Sequence, residues 1–433
     1  MGITHRTLVV STTVVMTALV AVTGAGLHWS RSLASFRQSP KELVDEVWQV
    51  IDREYVDATF NGNDWRAVRR EFLSRNYSNT EDAYKAAREM LEKLNDPYTR
   101  FMDPEQFKSM QIETSGELTG VGITITQDEK TKEITVVSPI EGSPAAEIGL
   151  MAKDVILRID GKSTKGMDIN QAVSMIRGPV NTKVRLTIQR GGQVMNFEVT
   201  RARIEIHPVR YSVRQTPQGP VGYIRLVTFS SNAAAEMRSA IRDLEKQGVQ
   251  GYVLDVRSNP GGLLFASAEI ARMFLQQGDI VSTVNRQGEA DRLRAGRGFL
   301  TNKPMVVLID GGSASASEIL AGALQDNNRA VLIGTKTFGK GLVQSVQPVG
   351  EGSGIAVTIA KYFTPSGRDI NKKGIEPDIE VKLTEQQREQ LTREDIATDK
   401  DPQFMRAIAV LNERILAEQQ RSAQSVQPSR ALR

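Results

Sequence analysis

From Pro40 to about Leu94 the apolar residues recur at helical spacing, as in Leu43, Val47, Val50 and Ile51, with charged residues between them. A 3.6-residue apolar period predicts a small helical region there. It ends in LNDPYTRFMDPEQF, residues 94–107, where two Asp-Pro pairs break any helix. From 107 to 203 the pattern changes to short β-branched runs at 121–126, 134–137, 155–159, 184–189 and 196–200, with turns such as Asp160-Gly161 and Gly191-Gly192 and one helical stretch at 168–177. That is the pattern of a compact β-rich module. From 220 to about 383, candidate strands at 221–226, 252–256, 305–310 and 330–333 alternate with candidate helices at 233–247, 264–276 and 315–325, which predicts an α/β unit. After Thr384 the chain is rich in Gln, Glu and Arg, with one amphipathic stretch at 404–416 and an end of disordered composition.

The 433 residues are enough for two to three domains at about 150 residues each. The pattern divides them into a leader at 1–30, a helical region at 31–107, the β-rich module at 108–204, the α/β core at 205–384 and a helical or disordered tail at 385–433. The leader carries His5 and Arg6, then no charge until after Leu27 and no acidic residue before Glu42. Such a segment reads as an export signal, either cleaved or retained as a single-helix anchor, since its apolar part at 8–22 is short for a span of ~20 residues. Either way the body of the protein is expected outside the cytoplasm.

The absence of cysteine excludes disulfides, thiol nucleophiles and thiolate metal sites. Histidine occurs only at positions 5, 28 and 207. A Ser-His-Asp triad would therefore depend on His207 alone. The 55 Lys and Arg against 51 Asp and Glu are dispersed, which argues against nucleic acid as a partner.

Chemistry concentrates in MVVLIDGGSASASEILAGALQDNNRAVLIGTKTFGKGLVQ, residues 305–344. A strand ends at Asp310, glycines turn the chain, and a helix begins among Ser313, Ser315 and Ser317. Helix N-terminal N–H groups stabilise negative charge at such a turn, although each serine is equally suited to N-capping. A helix of about 12 residues carries the chain ~18 Å away and the next strand returns it, so the loop TKTFGKG comes back to the serines. It offers Lys336 and Lys340 but no histidine. A lysine acts as general base only when neutral, so burial must lower its pKa from ~10.4; Phe338, Leu342 and Val343 are candidates for the apolar surroundings. Gln344, four residues after Lys340, can orient an amine without charging it. In LDVRSNPGGLL, residues 254–264, Gly261 and Gly262 lie between a strand and a helix. A backbone without side chains approaches a carbonyl closely there, and the N–H of Ala316, the residue after Ser315, is a second oxyanion donor.

In the β-rich module, GELTGVGITI at 116–125 presents Leu118, Gly120, Val121, Gly122 and Ile123 at the start of a strand. Free backbone N–H groups beside a strand edge can capture a terminal carboxylate while the edge pairs with the peptide. The order of this strand, then SPAAEIGLMAKDVILRIDGK, then a helix resembles a PDZ domain.

Taken together, LNDPYTRFMDPEQF, the PDZ-like module, LDVRSNPGGLL, GGSASASEILAGALQDNNRA, TFGKGLVQ and RDINKKGIEPD at 368–378 resemble the carboxyl-terminal processing proteases, Ser-Lys peptidases with an embedded PDZ domain. The resemblance covers nearly all of the chain after the leader. It implies an α/β protease core with an inserted PDZ domain and a small N-terminal helical region. It assigns Ser315 as nucleophile, Lys340 as base, Gln344 as its partner, and Gly262 or the adjacent Gly261 with Ala316 as oxyanion donors. It also gives Arg177, in MIRGP, a part in coupling peptide binding to alignment of the lysine. No metal or cofactor is implied; the partners are proteins or peptides with a free C-terminus. The form of the motifs is most similar to the cyanobacterial and chloroplast branch, which includes enzymes that trim a photosystem II reaction-centre precursor in the thylakoid lumen. Periplasm and lumen remain alternatives, as does a PDZ-containing peptide-binding chaperone or scaffold on the same fold.

Overall fold

A computed structural model describes residues 39–128, 131–350, 352–392 and 394–426. The expected leader, and the end after 426, lie outside the described residues. Among the described residues no helix is long and apolar enough to cross a membrane.

The N-terminal region consists of α1 (Pro40–Glu54), α2 (Trp65–Ser74) and α3 (Thr80–Glu92), followed by β1 (Arg100–Met102) and α4 (Pro104–Ser115). Ser39 and Glu42 form a capping box at α1, and Asp103 and Gln106 form one at α4, so the second Asp-Pro pair starts a helix as well as preventing one from running through it. The apolar faces of the first three helices enclose Val47, Ile51, Trp65, Phe72, Met90 and Leu94.

The module that follows begins with β2 (Glu117–Gly120), β3 (Ile123–Gln127), β4 (Ile134–Pro139) and α5 (Pro144–Glu147), and continues through β5 (Val155–Ile159), the two-residue β6 (Lys162–Ser163), α6 (Ile169–Ile176), β7 (Lys183–Arg190), β8 (Gln193–Thr200) and β9 (Ala202–Glu205). Its sheet runs β3-β4-β5-β7-β8, with β3 at one edge, while β2 pairs with β9. Alternating burial along β7 turns Val184, Leu186 and Ile188 into a separate small core.

The α/β core comprises β10 (Val209–Thr216), β11 (Gly219–Leu226), α7 (Ala233–Lys246), β12 (Tyr252–Asp255), α8 (Leu264–Phe274), β13 (Asp279–Asn285), β14 (Ala290–Arg294), β15 (Met305–Ile309), α9 (Ala316–Asp326) and β16 (Val331–Gly334). It is completed by β17 (Leu342–Val349), β18 (Ser353–Phe363) and β19 (Ile379–Glu380), then α10 (Glu385–Gln390) and α11 (Pro402–Val426). The main sheet has the order β10-β11-β12-β15-β16-β19, parallel from β11 onward. Residues of α7, α8 and α9 share a core with Leu254, Val307 and Leu332 on one face; Phe404, Ala407, Leu411 and Ile415 of α11 join Val253, Val306 and Leu308 on the other. Both faces are therefore covered, which is why β12, β15 and β16 are almost entirely apolar. The helix α11 extends beyond the amphipathic stretch at 404–416 in both directions, and it completes this layer.

A second sheet was not legible in the α/β pattern. It joins β1 of the N-terminal region to β18, β13 and β14, with β17 also on β18. Arg100 pairs with Ala356 and Met102 with Gly354, so the segment after the Asp-Pro turn is stitched to the strands that leave the lysine loop.

Candidate active site

Three serines crowd the turn after β15, and their hydroxyls separate them. Ser313 Oγ donates to Val256 O (2.8 Å) and accepts from Asp310 N (3.0 Å); Ser317 Oγ donates to Asn259 O (2.9 Å). Both side chains are fully buried. Ser315 is partly exposed, and among the described residues its Oγ donates to no acceptor. Its backbone stands at φ 55° and ψ −114°, a region costly for a side chain with a Cβ, and the surroundings over-determine it. Ser315 N donates to Glu318 Oε2 (2.8 Å), and Ser315 O accepts from Ile319 N (2.9 Å) and from Tyr362 OH (3.2 Å). The hydroxyl thus sits uncommitted on a strained strand-to-helix turn, at the positive end of α9.

The glycine turn after β12 packs directly on this serine. A Cβ placed on Gly261 would lie 2.9 Å from Ser315 Cβ and 3.0 Å from Ala316 N. The sequence left Gly261 and Gly262 open as donors, and their amides differ. Gly261 N–H is committed to Asn259 Oδ1 (2.9 Å). Among the described residues neither Gly262 N–H nor Ala316 N–H has a partner. Gly262 has φ 138°, and a Cβ there would meet Phe229 O at 2.5 Å, so the free amide depends on glycine. Because Ser315 N–H is bonded to Glu318, the available donors at the turn are those of Gly262 and Ala316.

The lysines of the returning loop separate as well. Lys336 is half exposed and its amine is engaged by Glu376 (2.7 Å). Lys340 is partly buried, and burial, reinforced by the charge of Arg100, lowers its pKa against the opposing pull of Asp96 and Glu318. Its Nζ stands 4.9 Å from the centre of the Tyr98 ring. Phe338 does not supply the expected apolar surroundings, because it is 57% exposed; Tyr98, from the N-terminal region, takes that place. Gln344 also departs from expectation. Its Nε2 lies 3.5 Å from Thr358 Oγ1, and among the described residues no hydrogen bond joins Gln344 to Lys340, or Lys340 Nζ to Ser315 Oγ.

The serine turn and the lysine loop meet through Glu318, fully buried on the first turn of α9. Its Oε2 accepts from the backbone N–H of Ser315 (2.8 Å) and Lys340 (2.9 Å), and its Oε1 from Gly339 N (2.8 Å) and Thr337 Oγ1 (2.6 Å). Four donors on one carboxylate make burial of the charge tolerable. The sequence did carry a signal for this residue: Glu318 is three positions after Ser315, the spacing of a capping box.

In the β-rich module, Val121 and Gly122 N–H have no partner among the described residues, and Ile123 opens the edge strand β3. Gly122 has φ 81°, and a Cβ there would lie 2.2 Å from Ser143 Cβ; Ser143 Oγ donates to Gly122 O (3.0 Å). Leu118 and Gly120 belong to β2, paired with Ile204 and Ala202, and lead directly into the free amides. Arg177 follows α6, with its Cγ 3.8 Å from a Cβ placed on Gly120. His207 is exposed and bound to Glu236 (2.8 Å), an arrangement separate from Ser315.

Residues 220–381 match Peptidase family S41 and residues 135–190 match the PDZ domain. The chain is 46% identical over 350 residues, 80% of its length and 82% of the relative's, to a carboxyl-terminal-processing protease of Synechocystis. It is 39% identical over 359 residues, 79% of this chain and 77% of the other, to the chloroplastic C-terminal processing peptidase of Tetradesmus obliquus. A solved photosystem II D1 C-terminal processing protease superposes with a TM-score of 0.54 at 39% identity, covering 79% of this chain and 93% of that one. With its free serine on a strained turn and its inserted peptide-binding module, this chain belongs to peptidase family S41 and is a serine-type carboxyl-terminal-processing protease.

Proposed function

We propose that the chain cleaves exported proteins near their C-termini by a Ser-Lys mechanism. Ser315 Oγ attacks the scissile carbonyl while neutral Lys340 takes its proton; the N–H groups of Gly262 and Ala316 hold the oxyanion; Lys340 returns the proton to the leaving amine, and water then hydrolyses the acyl-enzyme. The observation that carries this reading is that the one uncommitted hydroxyl of the turn lies beside two uncommitted amides. Gln344, four residues after Lys340 and held beside Thr358 (3.5 Å), is the polar partner for the amine during turnover. Ser315 Oγ and Lys340 Nζ share no hydrogen bond in the arrangement described, and catalytic bonds of this kind often tighten only with substrate bound.

The substrate's C-terminal segment adds to β3, and its terminal carboxylate takes the amides of Val121 and Gly122 with Arg177 nearby. Export through the leader, and a photosystem II reaction-centre precursor as substrate, are supported by the names of the cyanobacterial and chloroplastic relatives and of the solved D1 processing protease. The alternative, a PDZ-containing peptide-binding chaperone or scaffold on the same fold, predicts tail binding without cleavage.

Mass spectrometry of an unstructured protein with a short apolar tail, incubated with wild type, Ser315→Ala and Lys340→Ala, separates the two. Cleavage by wild type alone supports the peptidase; tail-dependent binding with an intact substrate supports the binding protein. Activity retained by either variant overturns the dyad.

A further inference from the structure

The base is buried by a segment that lies outside both matched regions, in the loop between α3 and β1. We propose that this loop, residues 96–99, is part of the peptidase machinery, with Tyr98 as a positioning residue that seats the Lys340 side chain and Asp96 as the anchor that fixes Tyr98. The proposal rests on the Ser-Lys reading and extends it to the N-terminal region.

Geometry supports it in three ways. The aromatic face of Tyr98 is 4.9 Å from Lys340 Nζ, and this amine has no hydrogen bond among the described residues, so the ring is its principal specific contact. The loop is held rigidly. Asp96 Oδ1 accepts from Tyr98 N (3.0 Å), and Asp96 Oδ2 accepts from Thr99 Oγ1 (2.7 Å) and Thr358 Oγ1 (2.6 Å). Thr358 N donates to Thr99 Oγ1 (3.0 Å), and β1 pairs with β18 directly after the loop. Finally, Thr358 is also the partner of Gln344, so the anchor of Tyr98 and the glutamine four residues beyond the base converge on one side chain.

The charged groups facing the amine come from three elements: Asp96 from the loop, Arg100 from β1 and Glu318 from α9. Asp96 and Glu318 favour the ammonium; Arg100 opposes it. Replacing Asp96 and Arg100 therefore moves the base in opposite directions. Asp96→Asn removes a stabilising negative charge, so neutral lysine becomes available at lower pH. Arg100→Gln removes a repelling positive charge, so it becomes available only at higher pH. Each shift is expected to be about half a pH unit or more.

The experiment measures kcat and KM against pH for wild type, Tyr98→Phe, Tyr98→Ala, Asp96→Asn, Arg100→Gln and Lys340→Ala in the full chain, with tail-peptide binding and thermal unfolding alongside. Tyr98→Ala is expected to lower kcat about tenfold or more with KM within about twofold, Tyr98→Phe to restore it because the ring face remains, and the two charge variants to move the acidic limb in opposite directions. If Lys340→Ala abolishes turnover while the Tyr98 and charge variants keep the wild-type profile, the loop is scaffold and the proposal is overturned. If Lys340→Ala keeps wild-type turnover, it is the Ser-Lys reading itself that fails. Should Asp96→Asn unfold early, the opposite shifts expected of Arg100→Gln and the phenylalanine rescue still decide the matter.

Discussion

Ser315 and Lys340 hang from a single buried oxygen: Glu318 Oε2 accepts the backbone N–H of each, at 2.8 and 2.9 Å. The serine turn and the lysine loop are thus registered through their backbones. Glu318→Gln places an amide N–H against one pair of donors and lowers kcat by an expected ~30-fold or more, with tail-peptide affinity unchanged. Steady-state kinetics together with peptide titration check this; an unchanged kcat would remove Glu318 from the positioning of the two loops.

Burial lowers the pKa of Lys340, and only the neutral amine accepts a proton. kcat/KM is therefore expected to rise with pH as the ammonium is lost, with a midpoint below the ~10.4 of a free lysine. Lys340→Arg should be inactive across the same range because a guanidinium stays protonated. A flat profile in wild type would remove lysine as the titrating base.

Gly262→Ala puts a methyl group within 2.5 Å of Phe229 O at φ 138°. The turn must shift, taking the free amide with it, and kcat should fall by about 10²–10³. In the peptide module, Gly122→Val meets Ser143 at φ 81° and should weaken tail binding by about tenfold or more, as should amidation of the substrate's terminal carboxylate. Equal binding of free-acid and amidated tails would place recognition elsewhere.

Arg257, four residues before Gly261, is buried between Asp255 (2.7 Å) and Asp401 (2.8 Å), the latter just before α11. Asp401→Ala leaves part of that buried charge uncompensated and should cost about 3 kcal/mol of stability, measurable by urea unfolding. His207→Ala, by contrast, alters only an exposed contact with Glu236, and activity should stay within about twofold of wild type.

Much of the site was legible because its chemistry is local. The turn that bears Ser315, the glycine pair and the returning lysine loop follow from strand and helix lengths, and periodicity located β5 and β7 to within a residue at each end. Choices among like residues came from the family resemblance alone and not from the chain's own pattern. Which serine is free depends on Val256 and Asn259, which occupy Ser313 and Ser317; which glycine donates depends on the side chain of Asn259; which lysine is the candidate base depends on Glu376 and Tyr98. The leader at 1–30 lies outside the described residues.

By itself the sequence determined the elements, the order of the modules and the set of residues that could act, because hydrophobic periods and turn residues encode backbone geometry over short spans. Only the tertiary structure decided what surrounds them: Glu318 joining two loops, Tyr98 arriving from a strand-linked N-terminal region, and Gln344 turned to Thr358. Burial and hydrogen-bond commitment arise from residues distant in the chain, and these are what fix the state of a lysine and the freedom of a hydroxyl.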